Sequence, residues 1–219
     1  HLPFDEQGAH VESGRAGYEE EHVPGAVFAD QIAELSDPDG EAPFAAVASE
    51  RFAAAVGALG VGDEHHVVVY DTVNGIWATR LWWQFGLEGF DRVSVLDGGL
   101  AAWRAGGYET PPGAESRPPA TFTPRRRPQR LLSPQQGPAS LDDPQVLLVN
   151  ALDTEDFAQG RIPGSVNVPF PALFGSDGRL RPREELRQVL AAAGALDPDR
   201  RPVTYCGGGI AATAAALAL

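Results

Sequence analysis

The sequence contains one pattern suited to covalent chemistry, a single cysteine followed by three glycines. Cys206 ends an apolar run typical of a strand, and Gly207, Gly208 and Gly209 lead into an alanine-rich helical segment, residues 210–219. A strand, a glycine loop and a helix start can cradle an anion, because the loop N–H groups point inward and the helix dipole favours negative charge. A thiol in that cradle is expected to be a thiolate nucleophile at neutral pH. The alternative, an inert buried cysteine at a strand end, is less favoured because of the glycines.

Two other kinds of anion-binding loop do not match the residues after Cys206. A nucleotide phosphate loop needs a lysine after its glycines, and the chain contains 17 basic residues, all of them arginine. A cysteine-dependent phosphatase carries an arginine six residues after its cysteine, and that position is Ala212. Bidentate recognition of a phosphate group is therefore not expected at this loop.

Three short segments occur twice in the chain, in the same order and at nearly the same spacing. They are residues 22–27 with 161–166, residues 67–71 with 202–206, and residues 75–79 with 209–213. Ordered matches of this kind indicate a tandem duplication. In the first copy Asp71 stands at the position of Cys206, and the loop that follows it is one residue longer.

Both copies are predicted to fold as α/β units. Short apolar runs predict buried parallel strands at residues 67–70, 93–96, 146–149 and 203–205. Helical patterns cover residues 50–59, 77–85 and 183–193. Strands that alternate with helices predict a central, mostly parallel sheet flanked by helices in each unit.

The composition divides the chain into two domains and a linker. Residues 1–110 form the predicted N-terminal domain, residues 111–144 a proline-rich linker, and residues 145–219 the C-terminal domain. The run Arg125–Arg127 in the linker is interpreted as solvated and paired with acidic surface residues, in preference to an anion site. Strands or helices present in one unit lack counterparts in the other, so we expect the intact protein to be longer at both ends.

Charge and cysteine content exclude several classes of function. The 219 residues carry 30 acidic and 17 basic side chains, a net charge of −13, which argues against a nucleic-acid partner. A single cysteine excludes an internal disulfide and a multi-cysteine metal site, and fits a reducing, cytoplasmic location. No apolar run is long enough for a membrane span. We predict no metal, no cofactor and no membrane partner.

The ordered motifs resemble those of the two-domain rhodanese sulfurtransferases. The resemblance rests on residues 22–26, on residues 96–99 with Trp103, and on residues 205–210. It implies two tandem rhodanese-like domains, the first non-catalytic with Asp71 in place of cysteine. It further implies that Cys206 takes a sulfur atom from a small anionic donor and forms a persulfide. The loop that would bind the donor and the persulfide comprises Gly207, Gly208, Gly209, Ile210 and Ala211.

The same resemblance implies the partners of the reaction. The donor would be thiosulfate or 3-mercaptopyruvate, and the acceptor cyanide, a small thiol or the thiol of a thioredoxin-like protein. The loop looks closer to the pattern of enzymes that use 3-mercaptopyruvate, but Gly208 and Ala211 replace its two hydroxyl residues.

Other departures from the family pattern keep a second hypothesis open. The segment Asn150–Leu152 stands where the family usually has Asp-Ala-Arg, and Asp156 stands where an arginine commonly binds the donor. Arg161 is the nearest candidate cation for a donor contact, while His22 at the equivalent first-unit position is interpreted as a structural turn residue. The alternative function is a degenerate module that binds a partner or senses sulfur species without turnover.

Overall fold

The computed structural model describes residues 13–132 and 143–219, which form two α/β units with separate sheets. The first unit contains α1 (Arg15–Glu20), β1 (Ser36–Asp37), β2 (Ala45–Ala46), α2 (Ser49–Ala58), β3 (Val67–Val69), α3 (Ile76–Leu87), β4 (Val93–Val95) and α4 (Gly99–Ala105). The second contains β5 (Val146–Asn150), α5 (Thr154–Gln159), β6 (Val166–Asn167), α6 (Arg183–Ala192), β7 (Arg201–Tyr205) and α7 (Ala211–Ala218). Short 3₁₀ turns lie at Pro128–Arg130 and Phe170–Leu173. The predicted strands and helices are all present, with ends shifted by one or two residues.

Parallel strand pairs carry both units. In the first, β3 pairs in parallel with β4, and Val67 lies opposite Val93. In the second, β5 lies between β6 and β7 and is parallel to both. Every residue of β5 is buried, as expected for a central strand covered on both faces. The predicted α/β class with mostly parallel sheets is confirmed.

The duplication is visible in one repeated hydrogen bond. The Val23 N–H donates to the Tyr70 hydroxyl at 3.0 Å in the first unit, and the Ile162 N–H donates to the Tyr205 hydroxyl at 3.1 Å in the second. Tyr70 directly follows β3 and Tyr205 is the last residue of β7, and each amide belongs to the residue before the proline of the repeated turn. The two units therefore hold their strand ends by the same contact.

The proline-rich segment from residue 111 to residue 130 lies against the first unit. Phe122 is buried in that unit's core, with its ring 5.5 Å from the Phe90 ring and 5.7 Å from the Phe52 ring. The Arg125 N–H donates to the Glu88 carbonyl at 2.7 Å. The domain boundaries at residues 110 and 144 stay predictions, and residues 133–142 of the linker lie outside the described residues.

The arginine run of this segment forms two ion pairs that differ in burial. The Arg126 Nη1 lies 2.6 Å from Oε1 of Glu88, whose side chain is 2% exposed. The Arg127 Nη1 lies 2.6 Å from Oδ1 of Asp91, whose side chain is 65% exposed. The hydrogen bonds from Arg127 lower the pKa of Asp91; desolvation opposes this shift, and the charges of Arg127 and Arg130 add to it.

The two units meet along α3 and α7. The hydroxyls of Thr79 on α3 and Thr213 on α7 lie 3.0 Å apart in a buried contact. Ile76 from the start of α3 is part of the second unit's core, and Phe44 and Trp77 pack against that core. The first unit thus supplies side chains to the packing around the second unit's helix α7.

We predict that Arg126→Ala destabilises the protein by about 3 kcal/mol, because it leaves the buried Glu88 carboxylate without its cation. Urea denaturation monitored by circular dichroism measures this loss. Arg127→Ala is the matched control, since it removes the neighbouring but exposed pair and should cost clearly less. An equal loss of unfolding free energy in the two variants would contradict the conclusion that the Arg126–Glu88 ion pair is the buried one.

Candidate functional site

The cysteine loop connects the end of β7 to the start of α7. Cys206 is half-buried and follows Tyr205 directly. The Gly209 N–H donates to the Cys206 Sγ at 3.1 Å. The N–H groups of Ala211 and Ala212, at the start of α7, have no backbone acceptor among the described residues. A helix start leaves such amides unpaired, so the loop can offer them to an anion beside the sulfur.

The three glycines serve different steric purposes. Gly209 has a left-handed backbone with φ of 72°, a conformation that other residues adopt at a cost. A Cβ at Gly208 would lie 2.9 Å from the Cδ2 atom of the Phe44 ring, which is too close. A Cβ at Gly207 would meet no atom within 4 Å. Only two of the three positions therefore require glycine.

The first unit shows what the same loop does with a permanent anion. The Asp71 carboxylate accepts four backbone N–H groups, each at 3.0 Å, from Val73, Gly75, Trp77 and Ala78. In the repeat, Gly75 corresponds to Gly209, and the last two donors correspond to Ala211 and Ala212. The first loop is thus filled by its own carboxylate, while in the second loop Gly209, among the equivalent donors, is the one whose N–H contacts the thiol.

A buried arginine from the first unit reaches the second unit's loop. Arg80 on α3 is 4% exposed, and its Nη1 donates to the Gly209 carbonyl at 3.1 Å. Its Nη2 donates to the Phe44 carbonyl, and its guanidinium lies over the Trp83 ring at 4.7 Å. Burial lowers the pKa of Arg80 to about 10, and the charge of Cys206 acts in the opposite direction. The cysteine loop therefore contacts a buried cationic side chain, although no residue of the loop itself is cationic.

Phe44 forms a wall of the site from the first unit. It has a left-handed φ of 56°, which is costly for an aromatic residue and is held in place by the hydrogen bond from Arg80. Its ring packs edge-to-face on Trp77, with ring centroids 5.5 Å apart. The ring's position against Gly208 closes one side of the loop.

Three other residues singled out from the sequence have side-chain contacts with residues close to them in the chain. Arg161 is exposed, and its guanidinium lies over the Phe157 ring at 4.9 Å, so its contact with a donor stays a prediction. His22 is buried and its Nδ1 lies 2.9 Å from the Tyr18 carbonyl oxygen, in a packed turn. Asn150 is buried, and its Oδ1 accepts the Leu152 N–H at 2.9 Å.

Sequence reasoning missed Arg80 and Phe44. A signal for Arg80 was available, since it is the one charged residue in the mainly apolar segment Ile76–Leu87. That pattern indicates a buried cation, but the sequence does not say which carbonyl or anion faces it. Phe44 lies outside any motif, and its left-handed backbone has no signature in an aromatic residue.

Among residues 13–132 and 143–219, no three His, Cys, Asp or Glu side chains come together as a possible metal site. No helix in those ranges combines the length and apolar character needed to cross a bilayer. A cavity of about 500 Å³ lies in the first unit beside β3, and residues of the cysteine loop do not line it.

The comparison with family models identifies both units. The model described as "Rhodanese-like domain" matches residues 9–106 and residues 133–219. The two matches cover the first copy and the second copy of the repeat, including Asp71 and Cys206.

Individual relatives agree with that match. Thiosulfate/3-mercaptopyruvate sulfurtransferase 2 of Arabidopsis thaliana is 31% identical, over 92% of this chain and 68% of its own length. The 3-mercaptopyruvate sulfurtransferase of Escherichia coli K12 is 32% identical, over 90% of this chain and 73% of its own length. The crystal structure of the Escherichia coli 3-mercaptopyruvate sulfotransferase SseA superposes with a TM-score of 0.87, at 30% identity, over 95% of this chain and 81% of the other. The chain therefore belongs to the rhodanese family and is built from two rhodanese-like domains.

Proposed function

We propose that this protein is a rhodanese-type sulfurtransferase that carries sulfur as a persulfide on Cys206. The observation that supports the site is the equivalence of the two loops. Asp71 occupies one loop as a carboxylate with four N–H donors, and Cys206 occupies the other with one N–H on its sulfur. The second loop thus has amide groups left over for the additional sulfur of a persulfide.

The first half of the reaction moves one sulfur atom to the cysteine. With 3-mercaptopyruvate, the Cys206 thiolate attacks the donor sulfur, the S–S bond forms and the donor C–S bond breaks. The donor's thiol proton ends on the carbon, so pyruvate leaves and a persulfide anion remains. With thiosulfate, the same attack breaks the S–S bond of the donor and sulfite leaves.

The second half regenerates the thiolate. A nucleophilic acceptor attacks the outer sulfur of the persulfide, takes it, and leaves the electron pair of the broken S–S bond on Cys206. Cyanide would leave as thiocyanate, and a thiolate would leave as a persulfide. We propose a small thiol or a thioredoxin-like protein thiol as the acceptor in the cell, and a reducing compartment such as the cytoplasm.

The alternative of a degenerate binding or sensing module is not favoured. The relatives at about 30% identity, which match along most of the chain, are named as sulfurtransferases. The departures at Asn150 and Leu152 join in local hydrogen bonds of the strand end and leave the cysteine loop intact. The loop keeps its thiol, its amide donors and a buried cation behind them.

The preference between the two sulfur donors follows from the groups to which the Arg80 N–H groups are already bound. Arg80 commits one Nη to the Gly209 carbonyl and the other to the Phe44 carbonyl. A donor in the loop therefore meets neutral backbone amides first, on a protein with a net charge of −13. These conditions penalise the dianion thiosulfate more than the monoanion 3-mercaptopyruvate.

We predict that Cys206→Ser abolishes sulfur transfer and leaves the fold intact, because a serine hydroxyl supplies no anionic nucleophile at neutral pH. Intact-mass spectrometry after donor treatment should show the added mass of one sulfur atom on the wild-type chain and none on the variant. Circular dichroism controls for folding. Turnover in the variant above a few per cent would remove Cys206 from the mechanism.

We predict a higher kcat/KM for 3-mercaptopyruvate than for thiosulfate at matched ionic strength. Raising the salt concentration should narrow the difference, because screening weakens the field that opposes the dianion. Steady-state assays with cyanide as acceptor measure both donors. A thiosulfate value well above that for 3-mercaptopyruvate would contradict the argument.

We predict that Gly208→Val slows persulfide formation by roughly 10²-fold, because the new side chain must displace the Phe44 ring that closes the loop. The melting temperature should fall by less than about 5 °C, since the change lies at the loop and not in either core. Gly207→Ala is the matched control and should keep the wild-type rate, because a Cβ there meets open space. A large drop in melting temperature for Gly208→Val would instead make the loop a structural element.

A further inference from the structure

We propose that Arg80, which belongs to the non-catalytic unit, is a positioning residue for the Cys206 loop. It holds the carbonyl of Gly209, the same residue whose amide contacts the cysteine sulfur. This inference deepens the proposed function and rests on it. It makes the active loop a structure shared by both units, completed by a side chain from the copy that has lost its own cysteine.

Gly209 is held at both of its backbone polar groups. Its N–H donates to Sγ of Cys206 at 3.1 Å, and its C=O accepts from Arg80 Nη1 at 3.1 Å. Its left-handed φ of 72° is a conformation that glycine leaves easily, because glycine also populates other regions. The arginine contact therefore selects the one backbone arrangement in which the amide faces the sulfur.

The second contact of Arg80 positions Phe44, whose ring packs against the loop. Its Nη2 donates to the carbonyl of Phe44, whose backbone is left-handed at φ 56°. The Phe44 ring lies against Gly208. A single planar guanidinium thus fixes one backbone carbonyl inside the cysteine loop and one in the first-unit segment whose Phe44 ring lies against that loop.

The charge of Arg80 is buried without a carboxylate. Among the described residues it forms no ion pair, and its polar partners are the two carbonyl groups and the Trp83 ring. Its Nε is buried and has no hydrogen-bond partner. With a pKa of about 10, the guanidinium remains charged at neutral pH. A buried cation of this kind favours an anion nearby, and the thiolate or persulfide of Cys206 is the anion whose charge it feels.

A structural role at the interface between the units is the competing explanation. Arg80 joins the units, but so does the buried contact between Thr79 and Thr213 one residue away. Thr79 does not touch the cysteine loop in the contacts described for it. Thr79→Val therefore removes a polar contact from the same helix and the same interface, and it serves as the matched control.

The experiment measures single-turnover persulfide formation on the full chain, by intact mass, over a range of 3-mercaptopyruvate concentrations. Arg80→Gln should lower the maximal rate by about 10- to 100-fold, the effect of losing a charge-assisted hydrogen bond. The half-saturating donor concentration should change little, because Arg80 acts on the loop and not on the donor. Arg80→Lys keeps the charge and should lose only about 3- to 10-fold. Thr79→Val should stay close to the wild-type rate.

A second measurement does not depend on sulfur transfer. The rate of Cys206 alkylation by iodoacetamide, without any donor and at fixed neutral pH, should fall in Arg80→Gln and not in Thr79→Val, because the cation near the thiolate is lost. The alkylation rate can fall in Arg80→Gln and not in Thr79→Val while the wild-type chain forms no persulfide. In that case the proposed function fails and the role of Arg80 stands. Melting temperatures of all variants control for folding.

Three results would overturn the inference. They are a wild-type maximal rate in Arg80→Gln, an equal loss of rate in Thr79→Val, and an Arg80→Lys variant as slow as Arg80→Gln. If Arg80→Gln does not fold, Arg80→Lys still decides the question, because a folded lysine variant with an unchanged maximal rate contradicts the positioning role.

Discussion

The site depends on a small set of backbone N–H groups that gather at the junction of a parallel strand and a helix. Such groups are strong donors, and leaving them unpaired is costly, so the junction requires an anion or water. The first unit meets this requirement permanently with the Asp71 carboxylate. The second unit places the Cys206 thiol at the same point, and this exchange of one side chain for another is the difference on which the proposed chemistry rests.

The duplicated unit without a cysteine still contributes to the chemistry of the other. Its helix α3 packs on α7, and its residues Ile76 and Trp77 join the packing of the second core. From the same surface Arg80 and Phe44 reach the cysteine loop. The loop thus takes part of its boundary from the first unit, which gives a physical reason for the two units to remain on one chain.

The loop also limits the chemistry that its own side chains can provide. Gly208 and Ala211 carry no hydroxyl, so neither can relay a proton to or from the reacting sulfur. In the reaction with 3-mercaptopyruvate, the donor's own thiol proton can protonate the carbon whose C–S bond breaks. The protein then has to stabilise charge and hold geometry, and the proposed mechanism assigns both tasks to the backbone amides and the buried guanidinium.

The sequence alone determined the local features of this protein. Apolar β-branched runs located the strands within one or two residues, because buried parallel strands need such residues, and ordered repeats revealed the duplication. The glycines after Cys206 indicated an anion cradle, because glycine lets a tight turn bring backbone amides close to a ligand. Tertiary structure decided which residues distant in the sequence contact the cysteine loop. Arg80 lies well over a hundred residues before Gly209, and the arginine's partner is a backbone carbonyl, which has no identity in the sequence. Arg161 carries the more suggestive motif, yet it lies over Phe157. Packing of α3 on α7 brings Arg80 to the cysteine loop, and that packing sums many weak contacts that no single motif encodes.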